Sequence, residues 1–597
     1  MLINAVLLFV VALVRGALQN SSEDTLASFP VLTANRDRIG LYYVNASFGT
    51  PGQPQMLRID LVQPYMWVFN EDMRQMRQNR SLRAGAETYY NATKSSTHET
   101  LDGNRIWNMH FMDHIAFNGT TVVDEVDFAW SSTSSNSDII TEDSNTTQGS
   151  SSVNISSISD KGFSFLSANE VASYIQQGAL GLAGRAAQTG YDNDSSDFDS
   201  SYVLLDRLVD QGLIHTSSFS IWMGADIQDP LEPPEPSNGC GKIIFGGVDT
   251  SLYTGDFVKF DTVPYYNART GETSRGYPII PLTMVNVKSK SGETKNMTSE
   301  SFLEPVLIDS RFRYNYLPLE IIVQIAMQAN AYYVESLNRW LLACDVGRLG
   351  ASIIFEFGNL SINVPLNNLM GPTFDTDTNS TLHFSNTQQA CELKLLPNTA
   401  SGFSILGGAF IRNVYMAAEL ESNQIALAQA QIISSVTTTS DTSELVPTSK
   451  SSESGETSGE STNRPPHANL KSVETLSAIE SGMIPFATTN NLTSFKTLVL
   501  SDKATKSASP NSRLFNQFTA TISSDGVIFT GRSFYNTTND VTVSSTTSNS
   551  FALSETTSKS SSAARTNFPF QNAEGTGMRL CFYSATVILL SAAVFAL

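Results

Sequence analysis

Cysteine is scarce in this chain of 597 residues: four are present, and no two stand in a Cys-x-x-Cys spacing. That excludes a small disulfide-built scaffold, a zinc knuckle and a redox pair, and leaves a hydrophobic core to supply most of the stability. Histidine is also sparse, with six. His110 and His114 lie in an apolar stretch that reads as strand, so a packed or solvated pair is expected there and no metal site. Basic side chains number 37 against 57 acidic ones, a net charge of −20. A surface of that sign repels phosphate backbones and anionic lipid heads, which argues against nucleic acid as a partner. Also missing are a Gly-x-Ser-x-Gly elbow, a phosphate-binding Gly-Lys-Ser/Thr loop and a His-Glu-x-x-His helix, so those reaction classes find no footing. Neither a metal nor a cofactor is expected.

What is present begins with the two ends. Met1 to Val14 is almost wholly apolar and closes on Val14-Arg15-Gly16, the pattern of a secretory signal peptide over residues 1–16, too short to span a bilayer. Leu580 to Leu597 is a second apolar run, preceded by small residues from Asn572 to Gly577, which reads as a GPI-attachment signal over 572–597 with Asn572 as the candidate site. Thirteen Asn-x-Ser/Thr sequons, at Asn20, Asn45, Asn79, Asn91, Asn118, Asn145, Asn154, Asn193, Asn296, Asn359, Asn379, Asn491 and Asn536, are candidate glycan sites in a chain taking that route. The expected address is the cell surface, at the outer leaflet of the plasma membrane or in a wall, with the membrane reached through the GPI lipid.

Between the ends the composition changes once. Residues 432–571 are rich in Ser and Thr and poor in successive large apolar residues, which predicts an extended, O-glycosylated stalk with a weak island of strand pattern near Thr497 to Tyr535. Residues 17–40 form a short N-terminal segment. Residues 41–431 carry short alternating runs, among them Tyr42 to Phe48, Met56 to Val68 and Ile353 to Val364, separated by Gly, Asn and Pro turns; this predicts an all-β architecture. Two stretches read as helices, Tyr202 to Gly212 and Leu319 to Leu342. A Ser/Thr/Asn-rich stretch over 131–159 reads as a surface insertion.

Two segments carry the candidate chemistry: Leu57-Arg58-Ile59-Asp60 and Pro305-Val306-Leu307-Ile308-Asp309. Each drives an apolar strand into one aspartate, and a carboxylate at such a position is costly unless paired or hydrogen-bonded. One in each half suggests a shared site. Two unrelated strand-end aspartates are the plainer alternative, and these residues alone leave both open.

The surrounding residues resemble those of the pepsin-like aspartic proteases along nearly the whole of 41–431. Tyr42-Tyr43-Val44 through Phe48-Gly49-Thr50-Pro51 is similar to the strand leading into that family's first catalytic motif, and Gly178-Ala179-Leu180-Gly181-Leu182 to the turn packed behind it. Phe245-Gly246-Gly247-Val248-Asp249 matches the lobe-joining stretch, Ile405-Leu406-Gly407-Gly408 with Phe410-Ile411-Arg412 its counterpart, and Ile425-Ala426-Leu427-Ala428 the closing strand. With the signal peptide, stalk and GPI signal added, the chain resembles the yapsins, the surface-anchored fungal members. The resemblance implies a bilobal all-β fold with lobes of about 41–245 and 246–431, and Asp60 and Asp309 as the catalytic pair. It also implies a Cys344–Cys391 disulfide, closing a loop of about 50 residues worth roughly 4 kcal/mol. Cys240 is then free in the mature chain, because Cys581 lies in the tail that is removed.

The sequence departs from the family where the chemistry sits. Each family aspartate opens Asp-Thr/Ser-Gly-Ser/Thr, in which hydroxyls and the Gly amide hold two carboxylates sharing one proton, with a water between them. Here the motifs read Asp60-Leu61-Val62-Gln63 and Asp309-Ser310-Arg311-Phe312. Only Ser310 survives among the supporting groups, and a guanidinium at Arg311 favours two ionised carboxylates. The covering hairpin aligns as Thr100-Leu101-Asp102-Gly103, without the family's tyrosine, although Trp67, that tyrosine's usual partner, is kept. Some twenty residues precede Leu41 after the signal, with no Lys-Arg pair, so ordinary zymogen control is not expected. Three readings follow. The chain is a surface endopeptidase with a weakened dyad, cutting wall or secreted proteins near basic residues; or a pseudoprotease that binds peptides or wall components; or mainly a structural glycoprotein. Carboxylates in mutual reach across a cleft favour the first, and Arg311 filling the gap between them favours the second.

Overall fold

The structure, a computed structural model, describes residues 29–432 with internal breaks, residues 476–492, and the short segments 500–501, 519–523 and 526–530. Alternating apolar side chains fold Tyr42–Phe48 and Gln53–Asp60 into an antiparallel hairpin with Val44 opposite Leu57, so one face of each strand enters the core. The strand ending at Asp60 then pairs in parallel with Gly178–Gly181, Leu57 beside Gly178 and Asp60 beside Gly181, while Trp67 of the short strand Trp67–Phe69 lies antiparallel against Ala179.

The second half repeats this arrangement. Val306 to Ile308, leading into Asp309, pair in parallel with Ser404 to Leu406, and Tyr316 of Asn315–Leu317 lies antiparallel against Ile405. The glycine after each inner crossing is required by contact. A Cβ at Gly181 would fall 2.5 Å from Pro64 C and Tyr65 O, and one at Gly407 would fall 2.3 Å from Tyr314 O and 2.4 Å from Phe312 O. Backbone of the aspartate loop passes where that side chain would be, and any other residue would push the loop outward.

The halves are joined by a continuous sheet. Ser218–Trp222 lies antiparallel between Ser237–Phe245 and Val414–Glu419, and Gln424–Ala430 links Val414–Glu419 to Tyr253–Asp261. Closing strands of the second half therefore hydrogen-bond to the first, which holds the two aspartate loops in fixed relation. Phe29–Arg36, within the segment expected merely to precede the domain, is a strand of the same sheet, paired with Ser237–Phe245.

Expected elements and observed ones differ in instructive ways. The architecture is mostly β as expected. Tyr202 to Gly212 narrows to a helix at Leu204–Asp210. The helix expected over Leu319 to Leu342 ends at Gln328: Asn330 takes a left-handed φ of +52°, and Tyr332–Val334 and Arg339–Ala343 form a hairpin instead. Aromatic and β-branched residues after Asn330 fit a pleated surface better than a helix, and the apolar run masked the change of period. Met56 to Val68 breaks into two strands at Leu61–Met66, around Pro64, and Ile353 to Val364 is a hairpin turning at Gly358 and Asn359. Cys344 and Cys391 are bonded, with 5.0 Å between Cα atoms, and Cys240 is free and buried.

Within the stretch read as stalk, residues 476–492 pack on the body. Leu476–Ala478 adds a strand to Gly247–Asp249, Thr488–Thr489 runs parallel beside Val258 and Lys259, and Leu476, Ile479 and Ile484 are buried. Eight apolar residues in a 17-residue window were outvoted by the polar composition around them. The strand island is present as Leu500–Ser501, Thr519–Ser523 and Gly526–Thr530. Ser131–Thr133 pairs with Phe29–Val31, and the rest of the 131–159 insertion lies outside the described residues. So do residues 1–16, 572–597 with Asn572, Asp102, Gly103, His114, and the sequons at Asn20, Asn79, Asn145, Asn154, Asn193, Asn379 and Asn536. Asn45, Asn296, Asn359 and Asn491 are exposed, and Asn91 and Asn118 half-buried.

Candidate active site

The two strand-end aspartates meet at the junction of the lobes, both fully buried. Ser310 ties the loops together: its Oγ donates to Ile59 O at 2.6 Å and accepts from Leu61 N at 3.3 Å. Leu61, in the matching position of the first loop, has no hydroxyl to return that bond. The cross-lobe connection is thus half of a symmetric pair.

Around Asp60 the donors come from its own loop. Oδ1 accepts from Val62 N at 3.0 Å and Gln63 N at 3.2 Å, and Oδ2 from Gln63 Nε2 at 2.6 Å. Gln63 Oε1 in turn accepts from the Trp67 indole at 3.1 Å, so Trp67 orients the amide that holds Asp60. Among the described residues Arg311 alone holds Asp309 in this way: Oδ1 accepts from Arg311 N and Nε, each at 2.9 Å, and Oδ2 from Arg311 NH2 at 2.7 Å. That is a bidentate fork, the strong geometry for guanidinium and carboxylate. Arg311 Nε also lies 3.5 Å from Asp60 Oδ1, so the guanidinium occupies the space between the two carboxylates.

Sequence reasoning missed a fourth charge. Arg58 is 5% exposed, and its NH2 lies 3.5 Å from Asp60 Oδ2. The signal was available: Arg58 stands two residues before Asp60 in one strand, and period two puts both side chains on one face. Gln63, three residues after Asp60, was quoted within the motif but given no role. The pair is therefore a buried quartet of two carboxylates and two guanidiniums, formally neutral when all four are charged.

Electrostatics of the quartet pull in opposite directions. Burial pushes the Asp60 carboxyl above its ordinary range; the guanidiniums of Arg311 and then Arg58 oppose that, and Asp309 adds to it. Burial prevails, so the Asp60 carboxyl is biased toward its protonated form. A carboxylic acid at Asp60 facing a carboxylate at Asp309 is the charge state that general acid–base attack by water on an amide requires. Arg311 stands where such a water would have to be placed. Among the described residues no group of three or more His, Cys, Asp and Glu side chains forms a metal site.

Comparisons with known proteins identify the family. The family model described as eukaryotic aspartyl protease matches residues 41–430. The chain is 35% identical over 570 residues to aspartic proteinase yapsin-7 of Saccharomyces cerevisiae, covering 94% of this chain and 90% of that protein. It is 27% identical over 279 residues to aspartic proteinase yapsin-3 of the same yeast, covering 45% of this chain and 48% of that one. To secreted aspartic protease 9 of Candida albicans it is 24% identical over 283 residues, covering 46% and 45%. Among solved structures, the aspartic proteinase from Irpex lacteus is similar at 16% identity and a TM-score of 0.46, covering 68% of this chain and 98% of that one.

Proposed function

The chain belongs to the eukaryotic aspartyl protease family, and from that membership we propose that it is a yapsin-type aspartic endopeptidase of the cell surface, with a dyad slowed by Arg311. The observation that carries this reading is the pairing of Asp60 and Asp309 across the lobes through Ser310, with Asp60 biased by burial toward the protonated form. Asp60 serves as the general acid toward the scissile carbonyl and Asp309 as the general base toward water, and acidic pH supplies the one proton the pair needs. Turnover requires the Arg311 guanidinium to leave the gap, which costs the fork on Asp309 and makes catalysis slow. Substrates are extended segments of wall or secreted proteins, with preference for basic residues carried over from the yapsin resemblance. The signal peptide, the Ser/Thr-rich stretch and the GPI signal bring the protein to the outer leaflet or wall.

A second reading, a pseudoprotease that binds peptides without cutting them, is favoured by one specific observation: the guanidinium between the carboxylates. One experiment separates the two. Purified chain is incubated at acidic pH with a peptide carrying basic residues, alongside Asp60→Asn and an Arg311→Gly, Leu61→Thr, Val62→Gly variant. Weak cleavage by the natural chain, abolished by Asp60→Asn and raised by the triple variant, supports the endopeptidase. Cleavage absent from the natural chain and the triple variant, with peptide binding retained, gives the second reading.

A further inference from the structure

The body ends and residues 476–492 begin at neighbouring points. Gln431 N donates to Leu252 O at 2.8 Å, and Leu476 pairs with Asp249 in the added strand. The chain therefore leaves the body and rejoins it within one short stretch, Asp249 to Leu252. What separates the two points in sequence, residues 433–475, is rich in Ser and Thr and includes Lys450, Arg464 and Lys471, a composition that offers sites to endopeptidases cutting beside basic residues.

The contacts of residues 476–492 run from one lobe to the other. Leu476–Ala478 is antiparallel to Gly247–Asp249, and Ile479 N extends the pairing to Gly246 O at 2.8 Å. Leu476, Ile479 and Ile484 are buried in the apolar cluster that contains Trp222, Val248 and Tyr415. Gly482 N donates at 3.1 Å to Oε2 of Glu419, a fully buried carboxylate. Further along, Thr488 Oγ1 donates to Phe257 O at 3.2 Å, and Asn490 N to Lys259 O at 3.0 Å. The far end reaches the second lobe. Asn490 is buried, and its Nδ2 donates to Phe357 O at 2.7 Å and to Asn359 Oδ1 at 3.1 Å. The hairpin turn leaves room for it only because Gly358 has no side chain: a Cβ there would fall 2.8 Å from Asn491 Oδ1 and 2.9 Å from Asn490 Nδ2 and Leu492 Cγ, and φ is +70°. Leu492 then packs against the cluster that contains Val62, of the first aspartate loop, and Leu307, of the strand leading into Asp309.

A strand added to a sheet edge, apolar side chains in the core and an asparagine that satisfies a buried carbonyl are the contacts by which an extended peptide is bound. We propose that residues 476–492 are a docking peptide for the body, gripping both lobes without need of the covalent connection, so that a chain cut within 433–475 stays together and its body remains held by the C-terminal part. The partner of this surface is the protein's own segment. Nothing in the docking depends on whether the dyad is active.

A full-length chain carrying the recognition sequence of a site-specific endoprotease within residues 433–475 tests it. The chain is cut to completion and passed through size-exclusion chromatography at about 1 μM, where the two fragments are expected to elute together. A synthetic peptide of residues 476–492 in about 100-fold excess should displace the C-terminal fragment, and the same peptide with Ile479→Asp should not. Within the cut chain, Ile479→Asp should weaken the association about 100-fold or more, because it places a carboxylate in the core. Asn490→Ala should weaken it about 10-fold, leaving Phe357 O unpaired. The peptide arm uses the natural body, so it stands whether or not the substituted chains fold. Fragments that separate on cutting, a natural peptide that displaces no more than its Ile479→Asp form, or an Ile479→Asp chain that stays together as firmly as the natural one overturns the proposal.

Discussion

Replacing Arg311 with Met removes the charge between the aspartates while nearly keeping its volume, and it should make stability depend steeply on pH. In the natural chain Arg311 forks Asp309 at 2.9 and 2.7 Å and stands 3.5 Å from Asp60, all of it buried. Without it the two carboxylates face each other with only Arg58 as a cation. Removing one partner of a buried pair costs about 3–5 kcal/mol, which is the loss expected at neutral pH. Unfolding entropy of roughly 2.1 cal/mol/K per residue over about 390 residues makes that a fall of about 4–6 °C in Tm. At about pH 4 one proton on the pair relieves the like-charge contact, and the loss should shrink to about 1–2 kcal/mol. The sign follows from linkage. In the variant the folded pair holds its proton above the value of about 3.9 for an unfolded aspartate. That contribution is complete below the unfolded value and is lost as pH rises through the folded one. Urea unfolding of both chains at about pH 4 and pH 7 checks it. An equal loss at the two pH values, or none, refutes the view that Arg311 neutralises the dyad.

Three further outcomes follow from other parts of the structure. The Lys394 amine is pushed down to about 7 by burial and by Arg313, with Glu392 opposing and Arg412 and Arg36 adding; folding therefore disfavours its charged form, and stability from this group rises with pH between the folded value and the ordinary 10.5. Because Lys394 as a whole is only half-buried, Lys394→Met should stabilise by about 1–3 kcal/mol near pH 6 and by little near pH 10, and a gain independent of pH would contradict this. Ser310→Ala removes the hydroxyl that bonds Ile59 O and Leu61 N across the lobes, and chemical denaturation should show a loss of about 1–3 kcal/mol because a buried carbonyl and amide are left unpaired. Ile479→Ala, at a fully buried position of the 476–492 segment, should cost about 2–4 kcal/mol in the same assay; no change would mean that this segment is not part of the folded body.

The repeat that builds the site was legible because it is written locally. Asp60 and Asp309 each end an apolar strand, which left a shared site as one of two alternatives, and the resemblance of Gly178 to Leu182 and of Ile405 to Gly408 to the family's segments settled on the two loops; Gly181 and Gly407 stand where the crossing backbone leaves no space for a Cβ. The 476–492 segment was harder to read, since its few apolar residues gain meaning only from the exposed edges at Gly247–Asp249 and Val258 that receive them. Helix and hairpin after Leu319 were confused for a related reason: both bury apolar residues, and the left-handed turn at Asn330 that separates them has only a weak sequence signal.

Arg58 shows where such reading stops. From the sequence it is one basic residue in an apolar strand, and the usual expectation is that its guanidinium reaches solvent along a folded-back stem. Its strand instead lies between Tyr42–Phe48 and Gly178–Gly181, covered on both edges, and Arg58 is left beside the Asp60 carboxylate with nowhere else to place its charge. The consequence reaches the chemistry. Arg311 can be removed and the dyad still has a cation 3.5 Å from Asp60 Oδ2, which keeps lowering the proton affinity of the group proposed as the acid. Restoring the family pattern at Arg311, Leu61 and Val62 therefore clears the gap between the carboxylates but leaves half of the charge compensation in place. Adding Arg58→Val to that variant should raise acid-pH cleavage further and shift its upper pH limit toward neutrality, because the Asp60 proton is then opposed by neither guanidinium. If pH–rate profiles of the variants with and without Arg58→Val coincide, Arg58 takes no part in setting the protonation of the pair.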